Sequence, residues 1–528
     1  MQRLPPQRPE PARNAPAVDR RTLLLSSLAA GLVRAGTVRA QTSGRGGADL
    51  VVAVTSLPTH LDPMGYNSND NERVSQNVVE NLIFYDFKAR KMKPGLATAW
   101  RMVDPSTMEL DIRQGVKCHD GSDFTAEDVE FMFGPARYGA PNAPGYPTAR
   151  SFLGTIASVK AIERFKVRIT TDKPDPLLDQ RLASWMGQVP GATAYRRAAS
   201  WEAWGQSVVG TGPYRVADIK PGQYMRFEAF DGYWGGTPPV RSFTLRLAQE
   251  VAARVAGLRT GEFDIITEIA PDQFGPIGND PGSEIIGGPI RSIRALIYNS
   301  QHPVLKDARV RRALNLAIDR QLIIDSLFAG RATIPNGLQM EVFGDMYIAE
   351  HKPTPYDPAA SRALLAEAKY DGGEIAYRYW KDYYTAEIAT AQVLQQMWKA
   401  VGLNVKLEMV ENTDQALAAG QGITDISNGA YYFDPLGQLF RLYGTGGLIP
   451  NRHQWSNAEF DQLGQDLLGI DHAKRRAAAA RMLDIYEEDP PGTYLHTLPM
   501  FYGKRKQLGW VPTDTAFMDF RTGNLSVG

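Results

Sequence analysis

A hydrophobic core stops growing at about 250–300 residues, and longer chains divide into domains of about 100–200. This chain has 528 residues, so its length alone dictates two or three domains. What fills them is ordinary: 43% of the residues are hydrophobic and 22% charged, the balance of a water-soluble globular protein. No apolar run approaches the roughly 20 residues that a membrane span needs. Lys and Arg total 58, as do Asp and Glu, so no basic surplus marks a nucleic-acid or anionic-membrane partner. A single cysteine, Cys118, excludes an intrachain disulfide, a CxxC redox pair and a multi-cysteine zinc site.

The first forty residues read as an address. Arg3, Arg8, Arg13, Arg20 and Arg21 precede a short apolar stretch, Leu23 to Val33, and Val38-Arg39-Ala40 offers small residues at a cleavage position. This is the layout of a cleavable signal peptide, too short in its apolar part to span a bilayer. Asp19-Arg20-Arg21-Thr22-Leu23-Leu24 resembles a twin-arginine signal, although a general secretory signal with a chance Arg pair fits the same residues. No cysteine follows the apolar stretch, so a lipoprotein anchor is not expected, and the predicted location is the periplasm. Removing residues 1–40 takes the 58 bases to 51 and the 58 acids to 56, leaving a mildly acidic chain.

After the leader, short strands and helices alternate. Met108, Leu110 and Ile112 interleave with polar neighbours at the period of a half-buried strand. Thr125 with Asp128 predicts a capping box opening a helix. Phe243, Leu245 and Leu247 predict another strand, and strand-forming residues run on from Phe263 to Ile269. Beyond residue 305 helices dominate: Asp307 caps one with Val310, Ala313, Leu314, Ala317 and Ile318 on one face, and Asp357-Pro358 starts another. Thr385 is expected to cap a third, with Ala389, Val393, Met397 and Ala400 inward until Gly402 ends it and Val405, Leu407 and Met409 resume as strand. Strand, helix and strand in succession mark α/β lobes.

Several blocks together resemble the family 5 extracellular solute-binding proteins, the oligopeptide, dipeptide and nickel binders of ABC importers. They run in order as Leu61-Asp62-Pro63, Val79-Glu80-Asn81-Leu82, Lys93 to Trp100, GVKCHDGSDFTAEDV at 115–129, VGTGPYRV at 209–216, GYWGG at 232–236, KDARVRRALNLAIDR at 306–320, YDPAASRALLAEA at 356–368 and VLQQMWKAVGLNV at 393–405. Cys118 stands where an aromatic is usual in the family. The resemblance implies an α/β fold of the periplasmic binding protein type II kind, two lobes joined by a hinge plus an extra subdomain on the N-terminal lobe. Its expected layout is a signal peptide at 1–40, the first lobe at 41–85 and 186–290, the extra subdomain at 86–185, the second lobe at 291–490, and a return to the first lobe at 491–528. Read physically, the Gly210-Thr211-Gly212-Pro213 and Gly232 to Gly236 segments are turns. Neither has the spacing of a phosphate-binding loop.

The same resemblance places ligand contacts at Tyr66, Asn67 and Asn71, which also fit a polar surface loop. Lys381 falls where dipeptide-binding relatives carry an arginine for the ligand carboxylate, with Tyr379, Trp380, Tyr383 and Tyr384 crowded around it as stacking faces or as core. Tyr431 falls where peptide binders carry an aspartate for the ligand ammonium, and a neutral phenol cannot replace a carboxylate there. The usual amine anchor is therefore missing unless Asp434 or Asp382 substitutes for it, and Trp185 is a further wall or core candidate. The seven histidines form no metal-ligand spacing, and no cofactor is expected.

The resulting expectation is a non-enzymatic, monomeric periplasmic receptor that binds a small-molecule solute and serves ABC permease and ATPase subunits in the inner membrane, with no nucleic acid as partner. Peptide or peptide-like solutes lead. Tyr431 also admits an oligosaccharide or an opine-like conjugate. The rival class is an exported hydrolase, for which no GxSxG, Cys-His pair or zincin motif is present, although a carboxylate dyad stays open.

Overall fold

The computed structural model describes residues 47–63, 68–380, 383–411, 413–418 and 420–528. The leader read in residues 1–40 lies outside them, as do Tyr66, Asn67, Lys381 and Asp382. Ten strands form one large sheet: β1 (Asp49–Val54), β2 (Tyr214–Lys220), β3 (Tyr224–Ala229), β4 (Ser242–Leu247), β5 (Ile265–Ile266), β6 (Ser283–Tyr298), β7 (Ile375–Trp380), β8 (Val405–Val410), β9 (Ile423–Gly429) and β10 (Gly492–Arg505). Their order across the sheet is β8-β7-β9-β6-β10-β5-β1-β4-β3-β2. The expected strand from Phe263 to Ile269 is only the two residues of β5.

The two longest strands, β6 and β10, run antiparallel through the middle and belong to both halves. Ser283 to Pro289 pairs with Pro499 to Arg505, next to β5 and β1, whereas Ser292 to Tyr298 pairs with β9 and with Gly492 to Thr497. Between these stretches the register shifts, and Pro289 faces Pro499. Neither residue has an N–H to donate, so the ladder is weakest where the chain passes from one half to the other. At Gly287, φ is 99° and a Cβ would lie 2.2 Å from the Met500 carbonyl oxygen, which leaves glycine as the residue that fits. Two α/β lobes thus share one sheet and meet at a crossing of two strands.

A four-stranded antiparallel sheet, in the order Ala97–Asp104, Thr107–Ile112, Lys166–Thr171, Ile156–Glu163, stands apart from the large one. A helix at Ala126–Met132 accompanies it, and the expected capping box of Thr125 and Asp128 opens that helix. Its core gathers Leu110, Val129, Phe152, Ile169 and Trp185, and takes in Tyr432 from the second lobe. The second lobe packs its own helices around Leu314, Leu394 and Trp398 on one side of the sheet and around Phe440, Met482 and Tyr486 in a separate cluster.

The glycine-rich blocks meet in three dimensions as scaffold. A Cβ on Gly210 would lie 2.1 Å from the Val78 carbonyl oxygen and one on Gly212 would lie 2.4 Å from that of Asn77, so these turns pass directly over the end of helix α1 (Asn69–Val78). The buried Glu80 carboxylate accepts hydrogen bonds from the Thr211 hydroxyl (2.9 Å), the Tyr233 hydroxyl (2.9 Å) and the Trp234 indole (2.7 Å). His119 closes the same junction, its Nε2 3.0 Å from the Gly212 carbonyl and its Nδ1 3.3 Å from the Gly210 amide. Asp62 does a similar job beside it: its buried carboxylate binds Arg137 through both guanidinium arms and accepts from the Trp201 and Trp204 indoles, each at 3.1 Å. Cys118 is buried, and desolvation pushes its thiol up to about 12, so it packs and does not react.

Candidate functional site

Two cavities flank the β6/β10 crossing, and each is walled by both lobes. The first, of about 430 Å³, has Glu72, Gln76, Tyr85, Gln180 and Trp185 on the first-lobe side and Arg291, Tyr431 and Phe433 on the other, with Thr513 to Thr515 at its base. The second, of about 540 Å³, has Ser56, Asp70, Arg73, Glu250 and Glu268 facing Trp380, Tyr383, Tyr384 and Glu411, with Leu498 to Met500 of the crossing between them.

Arg291 organises the first cavity. It sits just past the proline pair on β6. Its Nε donates to Asp514 Oδ2 at 2.8 Å and its Nη1 to the Ala430 carbonyl at 2.9 Å. The guanidinium lies 5.2 Å from the Tyr85 ring and 4.8 Å from the Phe433 ring, and those two rings are 4.1 Å apart. One cation thus ties an aromatic from each lobe. Glu72 faces this group; burial raises its carboxyl to about 6, while Arg291 and a hydrogen bond from Thr515 oppose the rise. In the second cavity Arg73, 2% exposed, pairs with Asp70 at 3.3 Å and with Glu268.

Each lobe's wall is also locked to the other by a tyrosine. Tyr432 donates its hydroxyl to the Phe152 carbonyl, and Arg181 stacks 4.9 Å from its ring. The adjacent Phe433 amide donates to Gln180 Oε1 at 2.8 Å. At the other end Tyr384 packs into the first-lobe core with Val54, Leu498 and Met500.

Among the residues singled out from sequence, Trp185 and Tyr431 come together in the first cavity and Trp380 lines the second. Trp185 is also core, 3% exposed, with its indole donating to Ser75 Oγ at 3.3 Å. Tyr431 packs against Phe152 (4.8 Å) and under Arg441 (4.8 Å), so the group at this position sits against a cation. Asn71 lines neither cavity: its buried amide donates to the His60 carbonyl at 2.6 Å and ties down the start of α1. Asp434 lines neither cavity: its buried carboxylate pairs with Arg475 at 2.6 Å and accepts from the Leu436 amide at 2.9 Å. Tyr66, Asn67 and Lys381 fall outside the described residues. Arg291, Tyr85 and Phe433 are not singled out by the sequence reading; Arg291 shares its strand with a second arginine, Arg294, and nothing in the pattern distinguishes it. Among the described residues no three His, Cys, Asp or Glu side chains converge as a metal-binding set, and no helix is long and apolar enough to cross a membrane.

Against known proteins, the sequence profile of bacterial extracellular solute-binding proteins, family 5 middle, matches residues 91–448. The glutathione-binding protein GsiB of Shigella dysenteriae is 28% identical over 489 residues, 89% of this chain and 93% of that protein. The fold is shared with the periplasmic binding protein DppA of Helicobacter pylori, solved with the peptide STSA (TM-score 0.81, 21% identity, 91% of this chain and 98% of that one). It is shared equally with a dipeptide-binding protein of Pseudoalteromonas solved with Met-Leu (TM-score 0.82, 19% identity, 91% of this chain and 100% of that one). A profile match over more than half its length, on a two-lobed α/β frame with cavities at the lobe crossing, makes this chain a member of the family 5 bacterial extracellular solute-binding proteins.

Proposed function

We propose that the chain is an exported, periplasmic, non-catalytic receptor that closes its two lobes on a small peptide-like solute and passes it to the permease and ATPase of an ABC importer. The observation that carries this reading is the shared walling of both cavities: aromatic and charged groups from each lobe face one another across a crossing whose backbone ladder is interrupted. A ligand touching both lobes favours the closed state by its differential affinity, which is what a receptor read by a transporter requires. Lys381 is the proposed partner of a ligand carboxylate. The Tyr431 environment, with Arg441 behind it and Asp434 committed to Arg475, favours a solute whose other end is something other than a primary ammonium held at that position.

The mature protein is incubated with glutathione, Met-Leu and N-acetylated dipeptides, and its thermal unfolding and small-angle scattering are followed. A true ligand at about 100 times its Kd adds about 2.7 kcal/mol of stability and contracts the scattering profile without being consumed. Turnover of a bound compound would make the protein an enzyme, and the absence of both stabilisation and contraction across the set would end the receptor reading for peptides. Lys381→Ala weakens a carboxylate ligand while leaving the unfolding temperature of the empty protein unchanged; unaltered affinity removes Lys381 from the site.

A further inference from the structure

The loop that leads from β7 into helix α2 (Glu387–Ala400) carries Trp380, Tyr383 and Tyr384 to the second cavity. Its pose needs an explanation. Ala386, the residue before the helix, is left-handed at φ 56° and offers no side-chain cap, so the usual device that fixes the entry to a helix is missing. In its place stands Glu387, 2% exposed and pointing back into the loop. Oε1 accepts the Trp380 amide at 3.1 Å, and Oε2 accepts the amides of Tyr383 and Tyr384 at 3.1 and 2.9 Å. One carboxylate therefore gathers three backbone donors from the segment that forms a cavity wall.

We propose that Glu387 is the positioning residue of this wall: both its oxygens are needed to hold the aromatic loop in the pose that meets the ligand and carries Tyr384 into the first-lobe core. The inference rests on the receptor reading for its ligand part and on geometry alone for its loop part.

The surroundings explain why a carboxylate is kept in so buried a place. Arg294 of β6 lies 2.7 Å from Asp425 of β9 and 3.5 Å from Glu387, with its guanidinium 3.7 Å from the Tyr384 ring. Tyr377 of β7 donates its hydroxyl to Asp425 at 2.8 Å. His496 of β10 faces the same arginine and is held neutral, its imidazole pushed down to about 4 chiefly by burial. Two carboxylates thus share one guanidinium, and burial first, with Arg294 opposing and Asp425 adding, holds the Glu387 carboxyl up at about 8.

Hydrogen–deuterium exchange on the unliganded mature protein reads the loop without a ligand. Glu387→Gln presents an acceptor on one side only, so either Trp380 or the Tyr383–Tyr384 pair loses its partner. Exchange in the peptide spanning these amides then accelerates by about tenfold or more, while β6 and β9 keep wild-type protection. Corrected for intrinsic rates, wild-type loop protection changes over about pH 6–9, and Asp425→Asn, whose single remaining carboxylate balances Arg294, removes that change. Unchanged loop exchange in Glu387→Gln would overturn the proposal, and so would loss of protection throughout β6 and β9, since Glu387 would then be holding the lobe core. Calorimetry with glutathione and with Met-Leu supplies the ligand arm. A loosened loop with undiminished binding would overturn the wall assignment. Failure of the wild type to bind either compound would count against the receptor reading for these solutes, and the loop assignment would stand or fall on exchange alone.

Discussion

Tyr432→Phe isolates the energetics of lobe closure from those of ligand contact. Tyr432 belongs to the second lobe, is 1% exposed within the first-lobe subdomain core and lines neither cavity, so its hydroxyl reaches a ligand only through the open–closed balance. Removing that hydroxyl takes one donor from the Phe152 carbonyl. This carbonyl also accepts from Arg181 at 2.8 Å, so no buried acceptor is orphaned, and the ring still fills its place beneath the guanidinium. The loss is therefore the net worth of one hydrogen bond, about 1 kcal/mol, or about a fivefold shift toward the open state. Because the free protein contributes this factor before any ligand arrives, apparent affinity should fall by the same factor for every solute the protein binds when the closed state is the minor one. Calorimetry with two chemically different ligands, paired with scattering of the empty protein, measures both. A loss confined to one ligand, or an unchanged open–closed balance alongside weaker binding, would refute the separation of closure from contact.

The buried junctions make further predictions. Asp62→Ala strands Arg137 and two indole donors, and chemical denaturation followed by tryptophan fluorescence should show a loss of about 3–5 kcal/mol. Gly210→Ala drives a methyl into the Val78 carbonyl and should cost at least about 1–3 kcal/mol, whereas Gly278→Ala, with open space at its Cβ, should change the denaturation midpoint little. His119 is pushed down to about 4 by burial from an ordinary 6.5. Between those values the unfolded chain binds a proton that the fold refuses, so the His119 contribution to stability is full above about pH 6.5 and about 3 kcal/mol of it is lost as pH drops to 4, with His496 acting in the same direction. Replacing His119 with Gln should remove about one proton from the stability slope in that window, and an unaltered slope would show that another group causes it.

Where local chemistry decided the structure, it was readable in the residues. Thr125 with Asp128, Asp307, and Asp357 ahead of Pro358 all cap the helices their spacing predicts. Met108, Leu110 and Ile112 all face inward. Tertiary partners defeated the same logic elsewhere. Thr385 does not cap α2, and the buried stripe is Thr390, Ala391, Leu394 and Trp398, not the one through Ala389, Val393, Met397 and Ala400. Leu394 and Trp398 offer more apolar area than alanines, and the Trp398 indole also finds the Leu314 carbonyl at 3.1 Å. Met409 is 57% exposed because β8 is the sheet's edge. The site was harder still. Tyr431, Trp185 and Trp380, singled out by resemblance, line the two cavities, but Arg291 and Glu387 matter through neighbours more than 100 and about 40 residues away, Asp514 and Asp425, and no periodicity records such pairings.

The facing prolines on β6 and β10 bear on how fast such a receptor can work. Turning one half of a continuous sheet against the other would ordinarily snap inter-strand rungs, and each broken rung would add to the barrier. At Pro289 and Pro499 there is no donor to lose on either side, so the sheet behaves like card scored before folding. Opening and shutting can then be governed by what the walls touch, and a captured solute can be released without first dismantling the frame that caught it.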